Sequence, residues 1–308
     1  MSLAIVFPGQ GSQSIGMMNG FADLPIVEKT FLQANAILNV DLWAMARAGP
    51  VEALNQTVNT QPVMLVAGVA VWRAWQEKKG PMPSWFAGHS LGEYSALVAA
   101  ESIRFEDALP LVRFRAEAMQ EAVPEGTGGI AAILGIDEDS VRQACAEAAQ
   151  GAVVEPANLN APGQIVIAGD RSAVERAMEI AKQKGAKRAV MLPMSAPSHC
   201  SLMKPAAERL RERLEGIDVR KPIVPVIQNR FVEAFDDPAR IRQALVEQLY
   251  YPVRWIETIQ YFGHKGVKRV AECGPGKVLT GMSKRIVPDI EYIAIQDGAC
   301  LAAATAQA

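Results

Sequence analysis

The sequence carries almost no net charge: 31 Lys and Arg stand against 33 Asp and Glu, a formal charge of −2 with a pI near 6.0. There is therefore no global basic field to gather nucleic acid or coat an anionic membrane, and an anionic partner has to meet a local patch. Cysteine is scarce too. Cys145, Cys200, Cys273 and Cys300 stand far apart with no C-x-x-C pair, a spacing that suggests neither a disulfide framework nor a cysteine zinc site, and no metal is expected. Long apolar runs are missing. The stretch Leu3–Phe7 has no basic region before it, is too short for a signal core or a membrane span, and runs straight into Pro8-Gly9, so the chain reads as cytoplasmic and free of membrane segments.

What is present is the balance of a soluble globular protein, with 50% hydrophobic and 21% charged residues in a chain of 308. That length suits one large core, and equally one large core with a modest second domain inserted in it. Leu3–Phe7 is a continuous apolar run cut off by Pro8-Gly9, the pattern of a buried strand ending in a tight loop. Helical stretches follow around 25–38 and 60–78. Trp85-Phe86-Ala87 then leads into Gly88-His89-Ser90-Leu91-Gly92 and an apolar helix at 94–100, a strand, turn and helix in sequence. Apolar strands alternating with helices predict a mainly parallel α/β sheet covered on both faces.

Residues 126–194 break this rhythm. Their order is strand (130–134), helix (140–149), two strands (around 152–158 and 164–168), helix (173–184) and strand (189–194). This β-α-β-β-α-β order is the ferredoxin-like signature, and it predicts a small domain at 126–194 inserted into a larger one formed by 1–125 and 195–308. Gly126-Thr-Gly-Gly129 and the stretch 193–197 are the expected hinges. Beyond them, strands are expected near 223–227, 267–272 and 292–295.

Gly88-x-Ser90-x-Gly92 matches a nucleophile elbow, in which glycines let the chain turn sharply enough to lift a serine hydroxyl above the sheet edge. Its place at the end of a strand and the start of a helix gives the pattern weight, because a helix N-terminus helps stabilise an oxyanion. A nucleophilic serine needs a base, and the histidines are His89, His199 and His264. His89 adjoins Ser90 and should point elsewhere, and His264 in Gly263-His-Lys-Gly266 reads as a solvated turn. His199 lies where the inserted segment returns to the main domain, either as a base on a cleft wall or as a histidine satisfied within its own loop. No Asp or Glu stands out as its orienting partner. Cys200 reads as a small apolar residue. In the helix expected over 106–123, Arg113 and Arg115 flank the apolar stripe of Leu109, Val112, Ala116, Met119 and Val123 on opposite sides, and periodicity does not choose between them.

Six blocks together carry a resemblance: Phe7-Pro-Gly-Gln-Gly-Ser-Gln13, Gly88-His-Ser-Leu-Gly-Glu-Tyr94, Ala157-Asn-Leu-Asn-Ala-Pro-Gly-Gln164, Pro197-Ser-His199, Gln248-Leu-Tyr-Tyr-Pro-Val253 and Gly274-Pro-Gly276. In this order, across nearly the whole chain, they resemble the malonyl-CoA:acyl carrier protein transacylases. The resemblance implies an α/β-hydrolase-like domain with a ferredoxin-like insert. It also implies transfer of malonyl from malonyl-CoA to the phosphopantetheine thiol of acyl carrier protein, supplying fatty acid synthesis without a bound cofactor, by a monomer. Carried over to this sequence, it makes Ser90 the acyl carrier and His199 the base, held by the backbone carbonyl of Gln248. The backbone N–H groups of Gln10 and Leu91 become the oxyanion hole, and Arg115 the ligand of the malonyl carboxylate.

A guanidinium suits that last role because it grips a carboxylate through two parallel charge-assisted bonds. Acyl carrier proteins are acidic, so a local basic patch is expected, with Lys187-Arg188 at the end of the insert and Lys277, Lys284 and Arg285 on a helix after Gly276 as candidates. Tyr251 departs from the family pattern, which often has asparagine before this proline. Ala196-Pro-Ser-His199 is closer to stand-alone malonyl enzymes than to methylmalonyl-selective domains, which leaves another extender unit as the less favoured substrate. The rival readings are a serine esterase or thioesterase, in which water resolves the acyl-enzyme, and a catalytically dead docking module for the carrier.

Overall fold

Leu3–Phe7 (β1) is buried along its whole length, and so is Arg269–Cys273 (β8), because both strands have a layer of helices on each face. The computed structural model describes residues 2–124, 126–193 and 196–306. In chain order the remaining strands are Trp85–Gly88 (β2), Gly128–Leu134 (β3), Val154–Ala161 (β4), Gln164–Asp170 (β5), Arg188–Met191 (β6), Val226–Ile227 (β7) and Glu291–Ile295 (β9). One sheet has the order β7-β2-β1-β8-β9 and is parallel throughout. The mainly parallel α/β sheet expected from the sequence is therefore present.

The strand expected at 223–227 shrinks to Val226–Ile227. Pro222 and Pro225 have no N–H to give a ladder, and only the carbonyl of Pro225 takes part, accepting from the N–H of Phe86 at 2.9 Å. On one side the sheet packs against Thr57–Glu77, a helix buried all round from Thr60 to Trp72. A helix apolar on every face belongs in the centre of a large core, and this one lies against Pro25–Leu38, Gly92–Ala99 and Phe105–Glu121.

The second sheet has the order β4-β5-β3-β6, with every pairing antiparallel. With the helices Glu138–Ala149 and Arg171–Gln183 this is the βαββαβ arrangement, and the first strand of the segment lies between the third and the fourth. Its core is separate: Ile133, Val141, Ile165, Ile167 and Val174 pack among themselves. β4 and β5 form a hairpin turned by Pro162-Gly163, so the strand expected around 152–158 runs on to Ala161. Glu125, Met194 and Ser195, where the boundaries of the insert were expected, lie outside the described residues, and so does the last residue of the strand expected at 189–194.

The two sheets are stitched together by the loop after Gln248. The N–H of Leu159 donates to the carbonyl of Val253, and the N–H of Val253 donates to that of Ala157, each at 2.9 Å. The floor of the cleft between the sheets is thereby fixed to β4.

Candidate active site

Ser90 sits at the carboxyl end of β2, immediately before the helix Gly92–Ala99, with φ of 51°. A left-handed serine is strained, and the surroundings explain how the turn is held. A Cβ on Gly88 would come within 1.9 Å of the backbone of Gly92, and one on Gly92 would lie 2.1 Å from the carbonyl oxygen of Phe7. The two glycines of the motif therefore let strand end, helix start and the end of β1 touch through bare backbone.

The Ser90 hydroxyl lies 2.8 Å from Nε2 of His199. Nδ1 of His199 is 2.8 Å from the carbonyl oxygen of Gln248, which only accepts, so Nδ1 carries the proton and Nε2 is left as the acceptor facing Ser90. The orienting partner sought among Asp and Glu is thus a neutral carbonyl. His199 has φ of 63° and is 2% exposed. Burial, and after it the nearby charge of Arg115, lowers its pKa from 6.5 to about 3, so the imidazole is neutral and ready to accept a proton at neutral pH.

Arg115 is 1% exposed, whereas Arg113 is half-exposed and pairs with Glu117 on the helix surface. Nη1 of Arg115 donates to Oε1 of Gln61 at 2.8 Å, and Nη2 donates to Oε1 of Gln248 at 2.9 Å and to the Ser90 hydroxyl at 3.3 Å. Both carboxamides are neutral, so they orient the fork without cancelling its charge. Burial lowers the Arg115 pKa, while the guanidinium remains a cation. Its charge is directed at a cavity of about 170 Å³ whose lining includes Gln10, Ser90, Leu91, Asn160 and His199.

The sequence candidates converge here. Ser90, His199, Arg115 and Gln248 are linked by hydrogen bonds, and Gln10 and Leu91 line the same cavity. The backbone hydrogen bonds of the described residues include none from the N–H of Gln10 or Leu91, and the Gln10 side chain is tied back to Thr57. His89 turns away from Ser90, as expected, onto Asn160 at 2.8 Å and towards the ring of Trp255. Cys200 is buried and its thiol is pushed up to about 12, consistent with an inert apolar residue. His264 is the exposed last residue of the helix Trp255–His264.

Lys187, Arg188, Lys277, Lys284 and Arg285 are all exposed. Lys284 and Arg285 are not on the helix expected to hold them, because that helix, Val278–Ser283, ends before them. Arg285 reaches the β4–β5 hairpin through the oxygens of Gln164 and Pro162. Sequence reasoning missed Gln61, the partner of Arg115, and the contacts of Glu93 and Asn229 around Ser90; no motif marks Gln61 or Asn229. Among the described residues, no group of three or more His, Cys, Asp or Glu could hold a metal ion, and no helix is long and apolar enough to cross a membrane.

The chain matches the model of the acyl transferase domain over residues 4–292. It is 54% identical over 305 residues to a malonyl CoA-acyl carrier protein transacylase of Salmonella typhimurium, covering 99% of both chains. Among solved structures, it is similar to an acyl-carrier-protein S-malonyltransferase from Burkholderia pseudomallei, with 55% identity, a TM-score of 0.98, and coverage of 99% of this chain and 100% of that one. It is also similar to a malonyl-transacylase in complex with a type II PKS acyl-carrier protein, with 52% identity, a TM-score of 0.99 and full coverage of both chains.

Two outcomes follow from this geometry. Gly92→Ala forces a methyl group into the Phe7 carbonyl and lowers stability by at least about 2 kcal/mol, read as a lower denaturation midpoint; an unchanged midpoint would show that β1 and the helix re-space freely. A base with an ordinary pKa of 6.5 loses about thirtyfold of its active form between pH 8 and pH 5. With His199 lowered to about 3, the imidazole adds no limb to kcat/KM over that range, and because Glu93 is raised to about 7 the test is run in Glu93→Gln, where a limb near pH 6.5 would contradict the buried neutral imidazole.

Proposed function

This chain belongs to the malonyl CoA-acyl carrier protein transacylases, and from that premise we propose a covalent route in which Ser90 carries the malonyl group between its two thiol partners. The activity is transfer of malonyl from malonyl-CoA to acyl carrier protein, supplying the extender unit of fatty acid synthesis. The observation that carries the route is the 2.8 Å contact between the Ser90 hydroxyl and a neutral His199 whose tautomer is fixed by Gln248.

In the first half-reaction His199 takes the Ser90 proton as the oxygen attacks the thioester carbonyl. The C–S bond breaks, the CoA thiolate takes the proton back from His199, and a malonyl-serine ester remains. In the second half-reaction the phosphopantetheine thiol of acyl carrier protein gives its proton to His199 and attacks the ester, and Ser90 leaves as the hydroxyl. The oxyanion of both tetrahedral intermediates meets the N–H groups of Gln10 and Leu91, each contributing roughly 10²–10³ in rate. Both exchanges are heterolytic with no net redox change, so the route runs on protein groups without metal or cofactor. Every group comes from one chain, and a monomer working in the cytoplasm suffices.

Arg115 reads the free carboxylate. Its cation is buried, already oriented and not neutralised, and each charge-assisted bond to a carboxylate contributes about 1.5–3 kcal/mol. Acetyl has nothing to offer it. Carrier docking is assigned to exposed basic residues, Lys187 and Arg188 on the insert and Lys277, Lys284 and Arg285 on the larger domain. The chain divides into 1–125 with 195–308 for the chemistry and 126–194 for the lid of the cleft.

Intact-mass analysis after brief mixing with malonyl-CoA or acetyl-CoA, followed by acyl carrier protein, tests the route. Wild type is expected to gain a malonyl adduct on Ser90 and pass it to the carrier, and Ser90→Ala to gain none. Arg115→Ala should lose about a hundredfold of the preference for malonyl over acetyl, the equivalent of two weak charge-assisted bonds. An adduct lost to water while the carrier stays unloaded would instead indicate a hydrolase.

A further inference from the structure

The backbone of Ser90 is held from outside the elbow by residues that do not react. Its N–H donates to Oδ1 of Asn229 at 2.7 Å, and its carbonyl accepts from Nε2 of Gln248 at 3.0 Å. Nδ2 of Asn229 donates to the carbonyl of Gly88 at 2.7 Å, so one carboxamide spans the two peptide groups flanking His89. In a parallel ladder, a strand residue bonds the carbonyl before and the N–H after its partner on the neighbouring strand. The Asn229 side chain reproduces that pair. β7 pairs with β2 only as far as Ile227 opposite Ala87, and the chain then turns away, with the N–H of Gln228 bonded to Glu233.

The root of this arm is itself fixed. The N–H of Asn229 donates to Oε2 of Glu93 at 2.8 Å, and both residues are buried, at 1% and 0% exposure. Burial raises the Glu93 carboxyl to about 7.

We propose that Asn229 is a positioning residue for acyl transfer, a side-chain carboxamide that extends the β7 ladder by one residue and fixes the left-handed backbone of the nucleophile. The inference rests on Ser90 as the acyl carrier. Only a planar group with a donor and an acceptor side by side can bridge Gly88 and Ser90 in this way. Without it, a buried N–H and a buried carbonyl lose their partners, the strained φ of Ser90 is free to relax, and the hydroxyl leaves the line between His199 and the Leu91 N–H. Such a loss acts first on the chemical step: Arg115 keeps its bonds to Gln61 and Gln248 and loses only the 3.3 Å contact with the Ser90 hydroxyl.

The test is Ser90 acylation by malonyl-CoA, followed by intact mass from pH 5 to 8 in wild type, Asn229→Ala and Asn229→Asp. In Asn229→Ala, kcat should fall at least about tenfold with KM within about twofold. In Asn229→Asp, an ionised carboxylate keeps the acceptor for Ser90 but turns a second oxygen on the Gly88 carbonyl; once protonated it regains the donor. Its rate relative to wild type should therefore climb at least about fivefold on acidification, a response that a general loss of structure does not give. Glu93, His89, His199, Arg115 and the Arg254–Glu257 pair surround this position; because an added carboxyl couples to Glu93, the series is repeated with Glu93→Gln in every protein, and the ratio to that parent isolates the added carboxyl.

If Asn229→Ala does not fold, the isosteric Asn229→Asp decides alone. Folded variants that acylate Ser90 as fast as wild type, or a deficit in Asn229→Asp that ignores pH, overturn the inference. Absence of any Ser90 adduct in wild type overturns the functional reading along with it.

Discussion

The site depends on a left-handed backbone at Ser90, set where three chain segments touch without side chains between them. Left-handed geometry costs a serine roughly 1–2 kcal/mol, and it persists only because the surroundings leave no alternative. Gly88 and Gly92 bring the end of β2 against the end of β1 and the helix that follows, while Asn229 and Gln248 hold the serine's two peptide groups. From that one conformation the hydroxyl faces His199, immediately before the N-terminus of the helix Gly92–Ala99. The parallel sheet supplies the frame: its order β7-β2-β1-β8-β9 puts β2 between β1 and β7, so both neighbours can reach the elbow.

The electrostatics follow from neutral acceptors placed where ionic ones would also fit. A carboxylate behind His199 would raise its pKa and stabilise the imidazolium; the Gln248 carbonyl fixes the ring without either effect, and the result is a base that stays unprotonated. The direct hydrogen-bond partners of the Arg115 guanidinium are uncharged amides, and Glu93, whose carboxyl acts on the Arg115 charge from nearby, is itself pushed up to about 7 by burial. Gln61 and Gln248 orient the guanidinium and leave its charge for an incoming carboxylate. Gln248 serves both residues, the imidazole through its backbone and the guanidinium through its side chain, so His199 and Arg115 keep a fixed separation.

The inserted βαββαβ unit closes the other side. Ile130, Asn158, Asn160 and Val166 from β3, β4 and β5 line the cavity, and the bonds between β4 and Val253 tie the insert to the loop that follows Gln248. His89 extends the tie from the elbow to Asn160. A displacement of the insert would therefore be felt at the histidine and at the elbow together.

Much of this was legible in the chain. Apolar strands alternating with helices predict the parallel sheet, and the break in rhythm after residue 126 predicts the βαββαβ order of elements found there, because periodicity is a local property. Gly88-x-Ser90-x-Gly92 marks the sharp turn at Ser90 for the same reason: the turn is made by adjacent residues. Arg115 and Arg113 were indistinguishable by spacing, and only packing against Thr57–Glu77 and Tyr94 buries one and leaves the other in water. The strand at 223–227 is shorter than its apolar run predicts because Pro225 acts on hydrogen bonds to a neighbour that the sequence does not display. Gln61, Asn229 and the carbonyl of Gln248 carried no local mark, since an amide or a peptide oxygen is common everywhere and becomes specific only through what the fold sets opposite it. The sequence by itself determined which elements form and which serine stands in the turn, both matters of neighbouring residues. The tertiary structure alone decided the partner of His199, the burial of Arg115 and the clamp on Ser90, because each joins residues some 25 to 158 positions apart whose meeting depends on how the sheet is ordered.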